Sequence, residues 1–281
     1  MPRGQIQVVY EEPDARIVVM DSLTFCDARV GPGDVVIAGS FAGATAFAFA
    51  LERRVRGLVA HAAGVGKDSA GISGLAFADR FAVPAAAVET MSARLGDGQS
   101  VFEQGIVAYA NATARALDVH ARVSTVEAAY RLVKAGPGRV TANAVLVERR
   151  QRVVLERDGG RVVLLGSTSF VDATNGSDVL CVGSHGGRVN ALPLLVAPPR
   201  GVIFNDGGMA RDRSGMGGLA TLDEIGVPAA TVDAMSARIG DPESAWHTGV
   251  ISARNEAAAR LGVLIGQPAR EAGEAMLAPR H

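Results

Sequence analysis

Short runs rich in β-branched and other apolar residues, edged by polar ones, occupy 7–10 and 15–20, and again 152–156 and 161–165. Each pair is interrupted by turn residues, Glu12-Pro13-Asp14 in one case and Asp158-Gly159-Gly160 in the other, so each predicts a β-hairpin. Continuous apolar runs follow at 34–38 and 178–182, and such runs fit strands buried on both faces. In the first half the pattern then predicts a helix over 43–55, a strand over 57–62, a glycine-rich loop and a helix over 73–82. A strand over 83–88 and a longer helix over 99–117 complete the series. This order is βαβαβα, and right-handed crossovers make it a mainly parallel sheet with helices on its faces.

The second half repeats the plan because it repeats the sequence. Residues 34–119 align with 178–263 without a gap, and 32 of the 86 positions are identical. Upstream, Ser22, Phe25, Asp27 and Ala28 pair with Ser167, Phe170, Asp172 and Ala173, with one extra residue in the turn 29–33. Downstream, Glu127-Ala128 pairs with Glu271-Ala272, and a final helix is expected to close each copy. The expected fold class is α/β with an internal tandem duplication: two similar βαβαβα lobes, each preceded by a hairpin, related by a pseudo-two-fold axis. The expected domains are 1–134 and 146–281, joined by a linker at 135–145; each is large enough for its own core, and two units are too few for a solenoid. The segment from Gly207-Gly208-Met209 to Ile225-Gly226-Val227-Pro228-Ala229 resembles the glycine-pair, helix and Gly-Ile-Pro stretch of swivelling phosphohistidine domains. The likeness covers about 20 residues and lacks the histidine that accepts phosphate. It implies a β/β/α layering and no activity.

Composition narrows the class. With 48% hydrophobic and 20% charged residues and a net charge of −1, the chain has an ordinary soluble globular make-up. Its basic residues are scattered and its aromatic residues few, so no nucleic-acid partner is expected. No apolar run is long enough to span a membrane and no signal-like segment opens the chain, which gives a cytoplasmic expectation. Cys26 and Cys181 occupy unequal repeat positions in apolar strand patterns and read as buried free thiols. Only two lysines occur among the 28 basic residues, Lys67 and Lys134.

Ligands of open α/β sheets bind beyond the carboxyl ends of the strands, and three loops there hold the chain's unusual polar residues. The first is Gly39-Ser40-Phe41-Ala42-Gly43, matched by Gly183-Ser184-His185-Gly186-Gly187. Its glycines bring backbone N–H groups to an anion at a helix N-terminus, or serve only for close packing. His185 is a general base, a ligand or a satisfied structural histidine. The second loop runs from His61 to Asp68 and from Asn205-Asp206-Gly207-Gly208 to Arg211-Asp212. The adjacent cation and carboxylate, Lys67-Asp68 and Arg211-Asp212, orient a substrate and move a proton, or form a solvated tip. The third loop is Met91-Ser92-Ala93-Arg94-Leu95-Gly96-Asp97, matched by Met235-Ser236-Ala237-Arg238-Ile239-Gly240-Asp241. An arginine there is either a fork for a carboxylate or phosphate, or half of an internal Arg–Asp pair that holds the turn. Asn111 and Asn255 are expected inside alanine-rich helices, supporting the third loop, and Asp27 and Asp172 are expected to close turns.

Two classes of function follow. In the first, the protein is an enzyme for a small anionic metabolite, leaning to hydrolysis of a C–N or C–O bond. Ser184, His185, Asp206 and Asp212 do the chemistry. Arg238, Ser236, Asp241, Asn205, Arg211 and the glycines Gly186, Gly187, Gly207 and Gly208 bind, with Arg94, Ser92, Asp97, Lys67 and His61 as first-half counterparts. A metal-dependent lyase is a variant, with His185, Asp206, Asp212 and Asp241 as ligands. No Gly-x-Gly-x-x-Gly follows the relevant strands, and no particular cofactor is implied. In the second class the protein is a non-catalytic binder or regulator with two related clefts. Alanine-rich stretches at 108–117 and 253–261, read as helices able to pack closely, leave a homo-oligomer open.

Overall fold

The computed structural model describes residues 5–136, 138–141, 147, 149–157 and 159–278. Asp158 of the second hairpin turn, and residues 137 and 142–145 of the expected linker, lie outside the described residues. Contacts divide the chain into two compact units, Met1–Val65 with Ala70–Val147 and Ala210–Asp212, and Gly66–Ser69 with Glu148–Met209 and Arg213–His281. Each unit includes a short loop segment carried by the other half of the sequence.

The first unit contains β1 (Ile6–Glu12), β2 (Ala15–Met20), β3 (Asp34–Phe41), α1 (Ala44–Leu51), β4 (Gly57–His61), α2 (Gly74–Asp79), β5 (Ala85–Val88), α3 (Gly98–Gln104), β6 (Val107–Ala110), α4 (Ala112–Arg115) and α5 (Thr125–Leu132). Its six strands lie in chain order. The β1–β2 and β5–β6 pairs are antiparallel, and β2 through β5 run parallel. The second unit contains β7 (Gln151–Arg157), β8 (Gly160–Leu165), β9 (Val179–His185), α6 (Arg188–Val196), β10 (Gly201–Asn205), α7 (Gly218–Asp223), β11 (Ala229–Val232), α8 (Pro242–Thr248), β12 (Ile251–Arg254), α9 (Glu256–Arg260) and α10 (Ala269–Leu277). Its sheet has the same order and the same strand directions. Both sheets are therefore mixed, mostly parallel, and begin with the expected hairpin.

Successive residues of the parallel strands enter different cores, because side chains alternate across a strand. In the second unit Leu164, Cys181 and Ile203 pack with Trp246 of α8 and Met276 of α10, whereas Val163, Leu180, Val202 and Phe204 pack with Leu194 of α6 and Leu222 of α7. Helices thus cover both faces of the sheet. This three-layer arrangement corrects the β/β/α layering implied by the local resemblance.

The long helix expected over 99–117 does not form. Gly105 adopts extended backbone (φ −62°, ψ 135°) and ends α3, after which β6 pairs antiparallel with β5. Asn111 then begins the four-residue α4 as its N-cap. The second unit breaks identically at Gly249 and Asn255. The stretches 108–117 and 253–261 consequently begin as strand, which removes the long alanine-rich helices on which close oligomer packing was argued. Cys26 and Cys181 are buried free thiols; burial pushes the Cys26 thiol up to about 12 and raises that of Cys181 as well. No helix of the described residues is long and apolar enough to cross a membrane.

Candidate functional site

All three loops do lie at the carboxyl ends of the parallel strands, and a bulge brings the first and third together. Between the pairs Ile37↔Val59 and Phe41↔His61, four steps on β3 face two on β4; Cys181↔Ile203 and His185↔Asn205 show the same surplus. The extra backbone carries Gly39 and Gly183, whose carbonyls accept from Gly96 N at 2.7 Å and Gly240 N at 2.6 Å. A Cβ on Gly39 would lie 2.4 Å from Asp97 N, and one on Gly183 2.9 Å from the Gly240 carbonyl carbon, so only glycine admits the third loop here.

The third loop is held residue by residue. Ser92 Oγ donates to Glu89 O at 2.8 Å and accepts from Ile106 N; Ser236 Oγ does the same with Asp233 O, at 2.7 Å, and Val250 N. Asp97 and Asp241 cap α3 and α8 by accepting from Ser100 N and Ser244 N, and the hydroxyls of those serines accept from Arg94 N and Arg238 N. The fold therefore accounts for Ser, Ala, Gly and Asp of the motif. Two further side chains of the motif are exposed in each unit: the arginine, and a methionine that is 59% exposed at Met91 and 65% at Met235. The methionines were missed as candidates, although their place in the repeated motif was the available signal.

Both guanidinium groups hold carboxylates. In the first unit Arg94 Nε donates to Asp212 Oδ2 at 2.7 Å, while Asp97 Oδ2 stands 3.9 Å from the guanidinium. In the second, Arg238 donates to Asp241 Oδ2 at 2.9 and 3.0 Å and to Asp68 Oδ2 at 3.2 Å. The neighbouring cations are anchored too, Lys67 Nζ on Ser236 O and Thr248 Oγ1 at 3.1 and 3.0 Å, and Arg211 on Ser92 O and Gln104 Oε1 at 3.3 and 3.2 Å. All four carboxylate–arginine contacts lie at the solvent-exposed surface, where water and salt screen such pairs and they add little to stability.

The tips bearing these residues are reached through left-handed backbone. Ala63, Gly64, Val65 and Gly66 have φ of 47°, 75°, 60° and 71°, and Gly207, Gly208, Met209 and Ala210 have 60°, 67°, 62° and 58°. Left-handed runs cost roughly 1–2 kcal/mol per non-glycine residue. Each run is closed by a glycine that approaches it closely: Gly71 N donates to Val65 O at 2.8 Å and Gly215 N to Met209 O at 2.9 Å.

The proposed proton carriers are tied to the backbone. His61 is fully buried; its Nδ1 accepts from Ala63 N at 3.0 Å, which leaves the proton on Nε2 for Ala93 O, also at 3.0 Å. Burial holds its pKa down at about 4. Asn205, its aligned counterpart, makes the same two contacts, Oδ1 accepting from Gly207 N and Nδ2 donating to Ala237 O. Asp206 is buried and accepts from Gly208 N at 2.9 Å and Ala234 N at 3.0 Å, with burial raising its pKa. His185 is buried, with Nδ1 accepting from Gly187 N at 3.1 Å; Gly186 N donates to Asn205 O, and Gly187 caps α6. Ser184 Oγ is buried and has no hydrogen-bond partner among the described residues, His185 included. The four residues considered as metal ligands do not converge: among the described residues no three His, Cys, Asp or Glu side chains group to hold a metal ion.

Compared with protein-family models, with curated proteins and with solved structures, the chain matches none.

Proposed function

We propose that this protein binds a small organic anion, a carboxylate or phosphate ester with an apolar portion, at two related sites centred on Arg94 and Arg238. One observation carries the reading: in both units the third loop presents an exposed guanidinium, already paired with surface carboxylates, together with an exposed methionine. The guanidinium meets the charge by paired, charge-assisted hydrogen bonds, and the flexible thioether covers the apolar part. Asp212 and Asp68 mark the place of the anion, since each already presents a carboxylate to the fork. Both are exposed, and a ligand carboxylate displaces such a pair at little cost. We read the two sites as products of a tandem duplication, which suits a binding or regulatory protein better than a single catalytic centre.

Titration calorimetry with small mono- and dicarboxylates and phosphate monoesters tests this. The expected result is saturable binding of two ligands per chain, weakened by added salt, with Arg94→Ala and Arg238→Ala each removing one. Undiminished binding in the double variant would falsify the assignment.

A second reading, a hydrolytic enzyme, is favoured by Ser184 Oγ, a buried hydroxyl that has no partner among the described residues and stands beside the glycine loop of the second unit. It calls for one ligand per chain and for turnover that Ser184→Ala abolishes.

A further inference from the structure

Each sheet has a seven-residue strand at one edge, β1 in the first unit and β7 in the second. Among the described residues, the backbone of each strand bonds to nothing but its own hairpin partner, so a row of N–H and C=O groups faces outward along both edges. Such an edge is a template for another strand, and proteins blunt it with charge and with bulges. Both edges carry a bulge, between Val8 and Tyr10 and between Val153 and Leu155. Beside each bulge stands an apolar side chain open to solvent, Val8 at 45% and Val153 at 44% exposure. The charges of the two edges are opposite. β1 ends on Glu11 and Glu12, both exposed, and holds no basic residue. β7 and the two residues before it hold Arg149, Arg150, Arg152 and Arg157 against Glu156 alone. Arg152 and Arg157 reach back to Glu243 and Glu274, while Arg149 lies over the Phe170 ring, so positive charge gathers at the start of the strand.

We infer that β1 of one copy of this chain pairs antiparallel with β7 of a second copy. With Val8 set against Val153, the Glu11–Glu12 end of β1 meets the Arg149–Arg150 start of β7, so one alignment satisfies the apolar and the charged positions together. The occupant is a second copy because the complement of each edge, in charge and in its exposed valine, is carried by the chain itself. Main-chain hydrogen bonds hold such a contact, and the side chains choose the partner. Every copy carries both edges, so the contact is heterologous and assembly continues until a rotation closes it. The bulges keep the paired stretch short, and a small interface of this kind is weak and reversible.

The test is sedimentation velocity on the full chain at low salt, from about 1 to about 500 μM. The average mass is expected to rise with concentration, and added salt to reverse the rise. Two charge-reversed variants follow, Glu11→Arg with Glu12→Arg, and Arg149→Glu with Arg150→Glu. Each alone should need roughly tenfold or more protein to associate, because its two edges now carry like charge. An equimolar mixture of the two should associate as the original chain does, since the altered edge of one fits the altered edge of the other. All four residues are exposed, and unchanged circular dichroism and melting temperature would show both variants folded. A single-chain mass over the whole range overturns the proposal. So does association indifferent to both reversals, or a mixture that associates no better than the variants alone.

Discussion

Gly64 and Gly208 present equivalent backbone N–H groups within the second loop, and different side chains satisfy them. Thr90 Oγ1 accepts from Gly64 N at 2.9 Å; Asp206 Oδ1 accepts from Gly208 N at the same distance and also from Ala234 N. In the alignment Thr90 stands opposite Ala234, and Ala62 opposite Asp206, so the acceptor has moved from one loop to another while the bond has stayed. This makes Asp206 a positioning residue and explains how a buried carboxylate persists there. Asp206→Ala leaves one buried donor, Ala234 N, and one half-buried donor, Gly208 N, unsatisfied and is expected to lower stability by about 2 kcal/mol. Adding Ala234→Thr to that variant supplies the hydroxyl used by the first half and should restore about 1 kcal/mol, whereas Ala234→Thr alone crowds Asp206 and destabilises. Urea denaturation of the four proteins decides it; strictly additive effects would mean that the hydroxyl does not take over the bond.

Asn111 and Asn255 each tie three elements of their unit together. Asn255 Oδ1 accepts from Ala258 N, capping α9, and from Ala229 N at the start of β11, while Nδ2 donates to Leu219 O of α7 and to Val227 O. Asn111 makes the same four bonds in the first unit. Asn255→Ala is expected to cost about 3 kcal/mol or more, since buried backbone groups at three elements lose their partner. Asn255→Asp keeps the cap but loses both donors and points a carboxylate at two carbonyls, so it should do no better than alanine in the same denaturation assay. The sequence pattern shows the parallel strands and the helices between them because continuous apolar runs and turn residues are local signals. It conceals the break at Gly105 because 108–117 is alanine-rich and favours helix locally, and only pairing with β5 makes Val107–Ala110 a strand. The site is similar: the pattern located the loops and offered Arg94 either an anion or nearby Asp97, while the shorter contact is with Asp212, 118 residues away. His61 and Asn205 looked like chemistry because their bonds to Ala93 and Ala237 cross 32 residues.

Those two residues give the units different responses to acid. Burial depresses the His61 pKa from 6.5 to about 4, so between those values the unfolded chain binds more protons than the folded one. Stability contributed by neutral His61 is whole above pH 6.5 and is lost as pH falls toward 4, by about 2 kcal/mol at pH 5 and about 3 kcal/mol in full. Asn205 does not titrate. The nearby Asp206 has its pKa raised above 3.8, the opposite sign: its ionised form is a burden at neutral pH that acid relieves as pH falls through the folded value. Asp21 in the first unit is raised in the same way, so acid relieves a buried carboxylate in each unit, and the difference between the units rests on His61. Hydrogen exchange followed by mass spectrometry, corrected for intrinsic rates, should therefore show protection in β4 falling roughly tenfold or more between pH 7 and pH 5. Protection in β10 should hold over the same range. His61→Asn, which installs the side chain that serves the second unit, should make β4 behave like β10. Equal losses in both strands, or an acid response that survives His61→Asn, would place the proton elsewhere.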